Sequence, residues 1–384
     1  MLAVREVEAA GYRSLRHIRF PVAPLSVFVG GNGAGKTNLY RALTLLQAAS
    51  AGTLTRELAA EGGMEAVLWA GTRRRNEPAR VRLRAELADD ETGQSFAYEV
   101  EIGLVPQDEH GTFGAAFPRE PQVKRERLTV RAGARPVVVL DRDGPAGFVR
   151  DEDGRKRPIG PRLLATETAL SALQDAVRLP ELQVVRQAMA AWRFYHAVRT
   201  DAGSALRRPC LAVTSPTLTS DGSDLAAVLA TLVHIRGDTT DLDAAIDDAF
   251  PGARLVVPMP GREARFGLTF PDHPRRVFEA SELSDGTLRY LALAGALLSY
   301  RLPPFVALNE PETSLHPDLM APLARMIVRA SGRTQVWLVT HSVPLAEAIA
   351  RSGGASPRTV LKRDGATWIE GLRLAGDFSD EDGQ

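Results

Sequence analysis

The residues Gly30-Gly31-Asn32-Gly33-Ala34-Gly35-Lys36-Thr37 have the types and spacing to hold phosphate. They fit G-x-x-x-x-G-K-[ST], in which small residues let backbone N–H groups wrap phosphate oxygens, the lysine reaches the outer phosphates and the hydroxyl ligates Mg²⁺. Two further stretches end apolar runs on groups suited to acid–base work. Phe305 to Leu308 runs into Asn309 and Glu310, and Val336 to Thr340 runs into His341. A carboxylate so placed can polarise water, and an imidazole can respond to nearby charge. A fourth stretch, Glu282 to Ala294, reads as a helix start, with Ser284 or Asp285 as cap and Leu288, Leu291, Leu293 and Leu297 on one apolar face.

These groups need elements to present them. Leu25 to Val29 is an apolar run before the glycine loop, and Thr37 to Ala48 follows with leucines at 39, 43 and 46, so the expected order is strand, loop, helix. The helix N-terminus then adds its dipole to the anion site. From about Val81 to Val149 the pattern alternates and predicts antiparallel strands, broken by Asp-Asp, Thr-Gly and Asp-Gly turns. Helical spacing is expected from Leu163 to Ala191, interrupted at Pro180, and again from Leu225 to Phe250. The tail alternates strand and helix, which argues for a largely parallel sheet and puts His341 at its carboxyl edge, where ligands sit in open α/β folds. The expected organisation is one unit with three parts: 1–160, the loop and antiparallel strands; 161–252, a helical insert; 253–384, the remaining motifs.

Composition excludes several classes. The 384 residues are 44% hydrophobic, enough for a large core, and 47 basic residues balance 47 acidic ones, so a nucleic-acid surface would have to be a local patch. Cys210 stands alone, which excludes an internal disulfide or a four-cysteine zinc site and fits a reducing cytoplasm. No run of about 20 uncharged apolar residues occurs, so no membrane span and no membrane partner are expected.

Leu283-Ser-Asp-Gly286 resembles the signature of ABC-type ATPases. The order of glycine loop, signature, Asn309-Glu310 and His341 is similar to an ABC ATPase head. Gly11-Tyr-Arg-Ser-Leu15, Glu310-Pro-Glu-Thr-Ser-Leu-His-Pro317 and Thr340-His341-Ser342 resemble the RecF/SMC/OLD-like branch, in its stand-alone form without a nuclease domain. The resemblance covers residues 1–50 and about 280–345. It implies an α/β P-loop NTPase with a mixed sheet, an antiparallel β subdomain and an inserted helical subdomain.

It also implies roles. ATP would lie against Asn32, Gly33, Gly35, Lys36, Thr37 and Asn38, with Arg13 near it or merely exposed on a strand edge, and Ser284 and Gly286 would take the γ-phosphate of ATP held by a second copy. Glu310 would polarise the attacking water and His341 would sense γ-phosphate. Mg²⁺ would meet Thr37, Asn309 and Gln94, with Gln107 competing for that last role. Asn309 stands where the family usually has an acidic residue. It keeps a carbonyl oxygen but not the charge, so slow turnover is expected, with Glu312 as a substitute charge. His316 would support the dimer, and Arg289 would face phosphate or solvent.

The function this implies is an ATP-gated homodimeric switch in DNA repair or in defence against foreign DNA. Its partners would be double-stranded DNA or an effector such as a separate nuclease, since the stretch after Ser342 is too short for one. Basic clusters at Arg73-Arg74-Arg75, Lys124-Arg125 with Arg127, Arg207-Arg208 and Arg275-Arg276 are candidate DNA contacts or solvated faces. The alternatives are a nucleotide-binding regulatory subunit without turnover and the energy subunit of a membrane transporter, which the long segment between Thr37 and Leu283 disfavours.

Overall fold

Alternation of apolar and charged side chains builds the first of two units into which the computed structural model divides. One holds Met1–Ala23, Gly30–Trp192 and Arg358–Gln384; the other holds Pro24–Val29 and Arg193–Pro357. The residues described are 2–73, 78–104, 117, 119–133, 135–160, 163–196, 198–373 and 375–379. Arg74, Arg75, Gln107 and the end of the acidic tail lie outside them.

In the first unit, β1 (Ala3–Tyr12), β2 (Leu15–Pro21), β4 (Arg80–Asp89), β5 (Gln94–Gly103), β6 (Gln122–Arg131), β7 (Val137–Asp143), β8 (Ala146–Arg150) and β9 (Lys156–Pro158) form an antiparallel sheet of order β2-β1-β4-β5-β6-β7-β8-β9. Period-two patterning turns Val81, Leu83, Leu87, Tyr98, Val100 and Ile102 to one face, where each is fully buried. The other face carries cross-strand pairs: Arg80 with Glu101, Arg82 with Glu99 and Arg84 with Glu6. Such half-exposed pairs contribute little stability each, but they disfavour a slipped register.

Helix α1 (Lys36–Ala51) packs on β1 and β4, with Leu39, Leu43 and Leu46 fully buried. Short helices α2 (Leu54–Ala60), α3 (Gly63–Val67) and α4 (Ala169–Ala172), helix α5 (Pro180–Ala190) and a hairpin of β18 (Arg358–Arg363) with β19 (Ala366–Ile369) complete the unit.

The second unit has the parallel sheet. β10 (Arg193–Tyr195), β16 (Phe305–Asn309), β17 (Gln335–Thr340) and β3 (Leu25–Val29) lie in that order, all parallel. Every residue of β16 and β17 is buried, which is why these strands read as continuous apolar runs and not as alternation. Helices α6 (Leu225–Thr231), α7 (Thr240–Ala249), α8 (Asp285–Leu298), α9 (Met320–Ser331) and α10 (Val343–Arg351) share a core with the sheet. Small antiparallel pairings join β11 (Cys210–Leu211) to β13 (Glu263–Ala264), and β14 (Gly267–Phe270) to both β12 (Arg254–Val256) and β15 (His273–Glu279). Among the described residues no helix is long and apolar enough to cross a membrane.

The α/β class is as the sequence implied, but the stretch 161–252 is not one helical insert. Its helices fall into both units: α5 packs on α1, whereas α6 and α7 pack on α8. Pro180 does not interrupt a helix; it opens α5 at the first turn, where its missing N–H costs nothing.

A buried ionic cluster ties α4 to the antiparallel sheet. Glu126 on β6 is fully buried and accepts from Tyr98 Oη at 2.9 Å and from the N–H groups of Ala169 and Leu170 at the start of α4. Arg142, 2% exposed on β7, lies 3.8 Å from Glu126 and donates to the carbonyls of Gly144 and Leu164. Burial pushes the Glu126 carboxyl up, and the surrounding donors oppose that shift. Glu126→Ala would leave Arg142 buried without its counter-charge. A loss of about 3 kcal/mol in urea unfolding is expected.

Candidate active site

The glycine loop of the first unit is closed on its own lysine. Lys36, 5% exposed, donates through Nζ to the carbonyls of Gly30 at 2.6 Å and Gly31 at 3.0 Å. An anion in the loop would offer the ammonium a stronger acceptor. Asn32, Gly33 and Thr37 are exposed, Thr37 on the first turn of α1.

A directed chain of hydrogen bonds braces the loop. Asn38 Nδ2 donates to Ser14 Oγ at 2.6 Å, Ser14 Oγ to Thr367 Oγ1 at 2.6 Å, and Thr367 Oγ1 to the Ala34 carbonyl at 2.9 Å. Each hydroxyl can give only one proton, so the amide donor at one end and the carbonyl at the other fix the direction. Gly35 has φ 99°, and a Cβ there would stand 1.8 Å from Thr367 Oγ1. Only glycine admits the Thr367 hydroxyl this close. Ser14 and Thr367 were not among the predicted site residues; Thr367 lies so far along the chain that spacing gives no hint of it.

Arg13 has φ 48° and is held away from free charge. Its guanidinium donates to Glu61 Oε2 at 2.8 Å, and Tyr12 Oη donates to the same atom at 2.7 Å. The side chain is committed to a buried carboxylate, while its neighbour Ser14 reaches the loop. Gln94 is not part of this site. It opens β5 and pairs with Asp89, while Ala88 pairs with Ala3 at the start of β1. Ser14 follows the far end of β1, about 30 Å along the strand at the usual rise per residue. Hairpin geometry, which the sequence reading did not follow, separates the two.

In the second unit the carboxyl ends of β10, β16 and β17 gather the acid–base groups. Asn309 is 2% exposed; its Nδ2 meets His196 Nδ1, and its Oδ1 is buried without a partner among the described residues. Glu310 follows with φ 49°, its N–H still bonded to the Val339 carbonyl at 2.8 Å. Its side chain is 32% exposed, with Oε1 3.6 Å from His341 Nδ1. A non-glycine residue in this region is strained, and here the strain sits on the candidate general base.

Glu312 does something else. Its Oε1 accepts from Thr340 Oγ1 at 2.6 Å and from the N–H groups of His341 at 3.1 Å and Ser342 at 3.2 Å. It holds the turn after β17 and orients His341, whose Nδ1 is 3.3 Å away. Oε1 is thus engaged in holding backbone, while Oε2 is buried without a partner among the described residues, and it is this second oxygen that would have to supply the charge expected of Glu312.

Arg289 also departs from expectation. It faces neither phosphate nor solvent: 6% exposed, it donates to the carbonyls of Val198 at 2.9 Å and His196 at 3.3 Å. Burial lowers its pKa, with the charge of Glu312 opposing. His196 was missed, although the run Trp192 to Tyr195 ends on it much as β16 ends on Asn309 and β17 on His341.

At the start of α8, Ser284 Oγ accepts from the Thr287 N–H at 3.1 Å. Asp285 pairs with Arg207 at 2.6 Å, and Arg207 also donates to the carbonyls of Ser281 and Leu283. Ser284, Gly286 and Thr287 line an open groove of about 660 Å³ with Ser314, His316 and Asp318. His316 is exposed and pairs with Asp318 at 3.2 Å. Three of the basic-cluster arginines are in ion pairs: Arg127 with Asp141, Arg207 with Asp285 and Arg276 with Glu282.

Fold and motifs together define an ABC-type ATPase of the RecF/SMC-like branch. The chain belongs to the family AAA_21, described as "AAA domain, putative AbiEii toxin, Type IV TA system", which it matches over residues 25–346. Over 117 residues it is 32% identical to the chromosome partition protein Smc of Gloeobacter violaceus, a match covering 29% of this chain and 10% of that protein. Among solved structures, the SmcHead bound to the C-winged helix domain of ScpA superposes with a TM-score of 0.50 at 17% identity, covering 97% of this chain and 99% of that one. The SMC head domain from Thermotoga maritima gives a TM-score of 0.48 at 14% identity, with coverage of 97% and 100%. The superposition on the ScpA-bound SmcHead shows the SMC-head fold.

Gly35→Ala should lower stability by more than about 2 kcal/mol, because it combines a left-handed backbone with a clash. Combined with Thr367→Ala it should cost less than the sum of the single changes, since the second removes the nearest of the atoms the new Cβ strikes, Thr367 Oγ1, while Ser14 Oγ at 2.7 Å remains. Urea unfolding of the four proteins measures this.

Proposed function

We propose that this protein binds ATP with Mg²⁺, hydrolyses it slowly, and closes as a homodimer that switches an effector in DNA repair or in defence against foreign DNA. The observation carrying the hydrolytic reading is Glu310: of the two carboxylates in Glu-Pro-Glu, it is the one turned toward solvent beside His341 and not spent on holding backbone. Lys36 would exchange its two carbonyls for the outer phosphates, with Asn32, Gly33, Gly35 and Asn38 supplying the loop around them. Glu310 would take the proton of the attacking water, and His341 would respond to the γ-phosphate.

Each unit offers a group that suits Mg²⁺: Thr37 of the first an exposed hydroxyl, and Asn309 of the second an orphaned buried oxygen able to accept from a metal-bound water. Mg²⁺ bound with ATP would neutralise phosphate charge. An amide at 309 adds no negative charge, which accounts for the slow turnover proposed. The same substitution favours a second reading, a nucleotide-binding regulator without turnover.

The groove beside Ser284 and Gly286 supports dimerisation, since it leaves the N-terminus of α8 open to the triphosphate of a second copy. The family's description names a toxin of a toxin–antitoxin system, which supports a defence role, and an SMC head bound to a ScpA domain supports a separate protein partner. A cytoplasmic setting fits both.

Wild-type protein should hydrolyse ATP in Mg²⁺ above a Lys36→Ala control, and Glu310→Gln should lose about 10²-fold or more. Double-stranded DNA should stimulate the wild type, with the effect shrinking as salt rises. A wild-type rate equal to the Lys36→Ala rate would leave the regulatory reading in its place.

A further inference from the structure

We propose that His196 sets the orientation of the Asn309 amide, and so ensures that this side chain presents an oxygen, not an N–H group, to a divalent cation. The inference deepens the nucleotide reading above and rests on it.

β10 and β16 are neighbours in the parallel sheet, with Tyr195 opposite Leu308. The next residue on each strand is therefore His196 and Asn309, side by side at the carboxyl edge. Asn309 Nδ2 meets His196 Nδ1 there. An amide nitrogen only donates, so His196 Nδ1 must carry a lone pair and the ring proton must sit on Nε2. Turning the amide over would require the ring proton to move to Nδ1, and would face the cation with N–H groups instead of the oxygen.

The other end of the amide carries the consequence. Asn309 is 2% exposed and its Oδ1 has no partner among the described residues. A buried carbonyl oxygen without a donor destabilises the fold, and a metal-bound water at this position would relieve that cost. His196 is itself held, because Arg289, 6% exposed, donates to its carbonyl at 3.3 Å and to that of Val198 at 2.9 Å. A carboxylate at 309 would have two equivalent oxygens and need no orienting partner. An amide has one useful end, and His196 selects it. His196 is thus a positioning residue that acts through Asn309.

The test is Mn²⁺ binding by the full chain with ATP, followed by the electron paramagnetic resonance signal of free Mn²⁺, beside ATP binding in EDTA. His196→Ala should weaken Mn²⁺ affinity about 10-fold, the range seen when an outer partner of a ligand is removed, with ATP affinity in EDTA unchanged. His196→Gln, which keeps an acceptor, should restore the affinity, and His196→Phe, which keeps bulk without one, should not. In an Asn309→Asp background the His196→Ala change should have no effect. Wild-type Mn²⁺ affinity in both His196→Ala and His196→Phe, or an equal loss in both backgrounds, would overturn the role of His196 while leaving the nucleotide site in place. Failure of the wild type to bind ATP in either condition would overturn the nucleotide reading itself, and this inference with it.

Discussion

One buried oxygen, Glu312 Oε1, holds together the turn on which the acid–base groups depend. It accepts from the Thr340 hydroxyl and from the N–H groups of His341 and Ser342, the first groups past β17 that the sheet ladder cannot satisfy. Replacing such a carboxylate would leave the Thr340 hydroxyl and the His341 N–H short of an acceptor where little water reaches, the Ser342 N–H keeping Thr340 Oγ1 at 2.9 Å. The carboxylate two residues earlier is released from structural duty by this arrangement. Pro311 sits between them, and a residue before proline ordinarily adopts extended backbone; Glu310 instead has φ 49°. Its side chain is thereby turned out beside His341, and the strain is borne by a segment anchored at Glu312.

The first unit solves a similar problem without a carboxylate. The glycine loop must leave most of its N–H groups available, so pairing them can stabilise it little; the Ala34 N–H, bonded to the Gly31 carbonyl at 3.3 Å, is an exception. Its bracing comes from the carbonyl side, through the chain from Asn38 by way of Ser14 and Thr367 to the Ala34 carbonyl. Lys36 adds its bonds to the carbonyls of Gly30 and Gly31. A loop held mainly by its acceptors keeps most of its donors for an anion.

Much of this was legible in the sequence where local pattern and chemistry coincide. The strand, loop and helix around Gly30 to Thr37, the wholly buried strands ending on Asn309 and His341, and the capped start of α8 follow from spacing and periodicity. What was not legible depends on strand pairing and long-range packing. Gln94 was a metal candidate through the family resemblance, with Gln107 competing, and only the β4–β5 hairpin register shows it at the far end of β1 from Ser14. Arg289 was expected to face phosphate or solvent because helical spacing does not reveal that the segment after β10 offers it two carbonyls. Glu312 and Glu310 are chemically identical in a sequence; the turn after β17 gives them different work. The helices between 161 and 252 looked like one insert because periodicity reports an apolar face but not what covers it.

The central claim is that two copies of this chain share ATP, each completing with Ser284 and Gly286 the pocket begun by the other's glycine loop. Sedimentation velocity of the Glu310→Gln protein with ATP and Mg²⁺, with and without the further change Ser284→Arg, tests it most directly. The expected result is a dimer that requires ATP and is lost with Ser284→Arg. A Glu310→Gln protein that binds ATP yet stays monomeric at high concentration, or a dimer indifferent to Ser284→Arg, would contradict it.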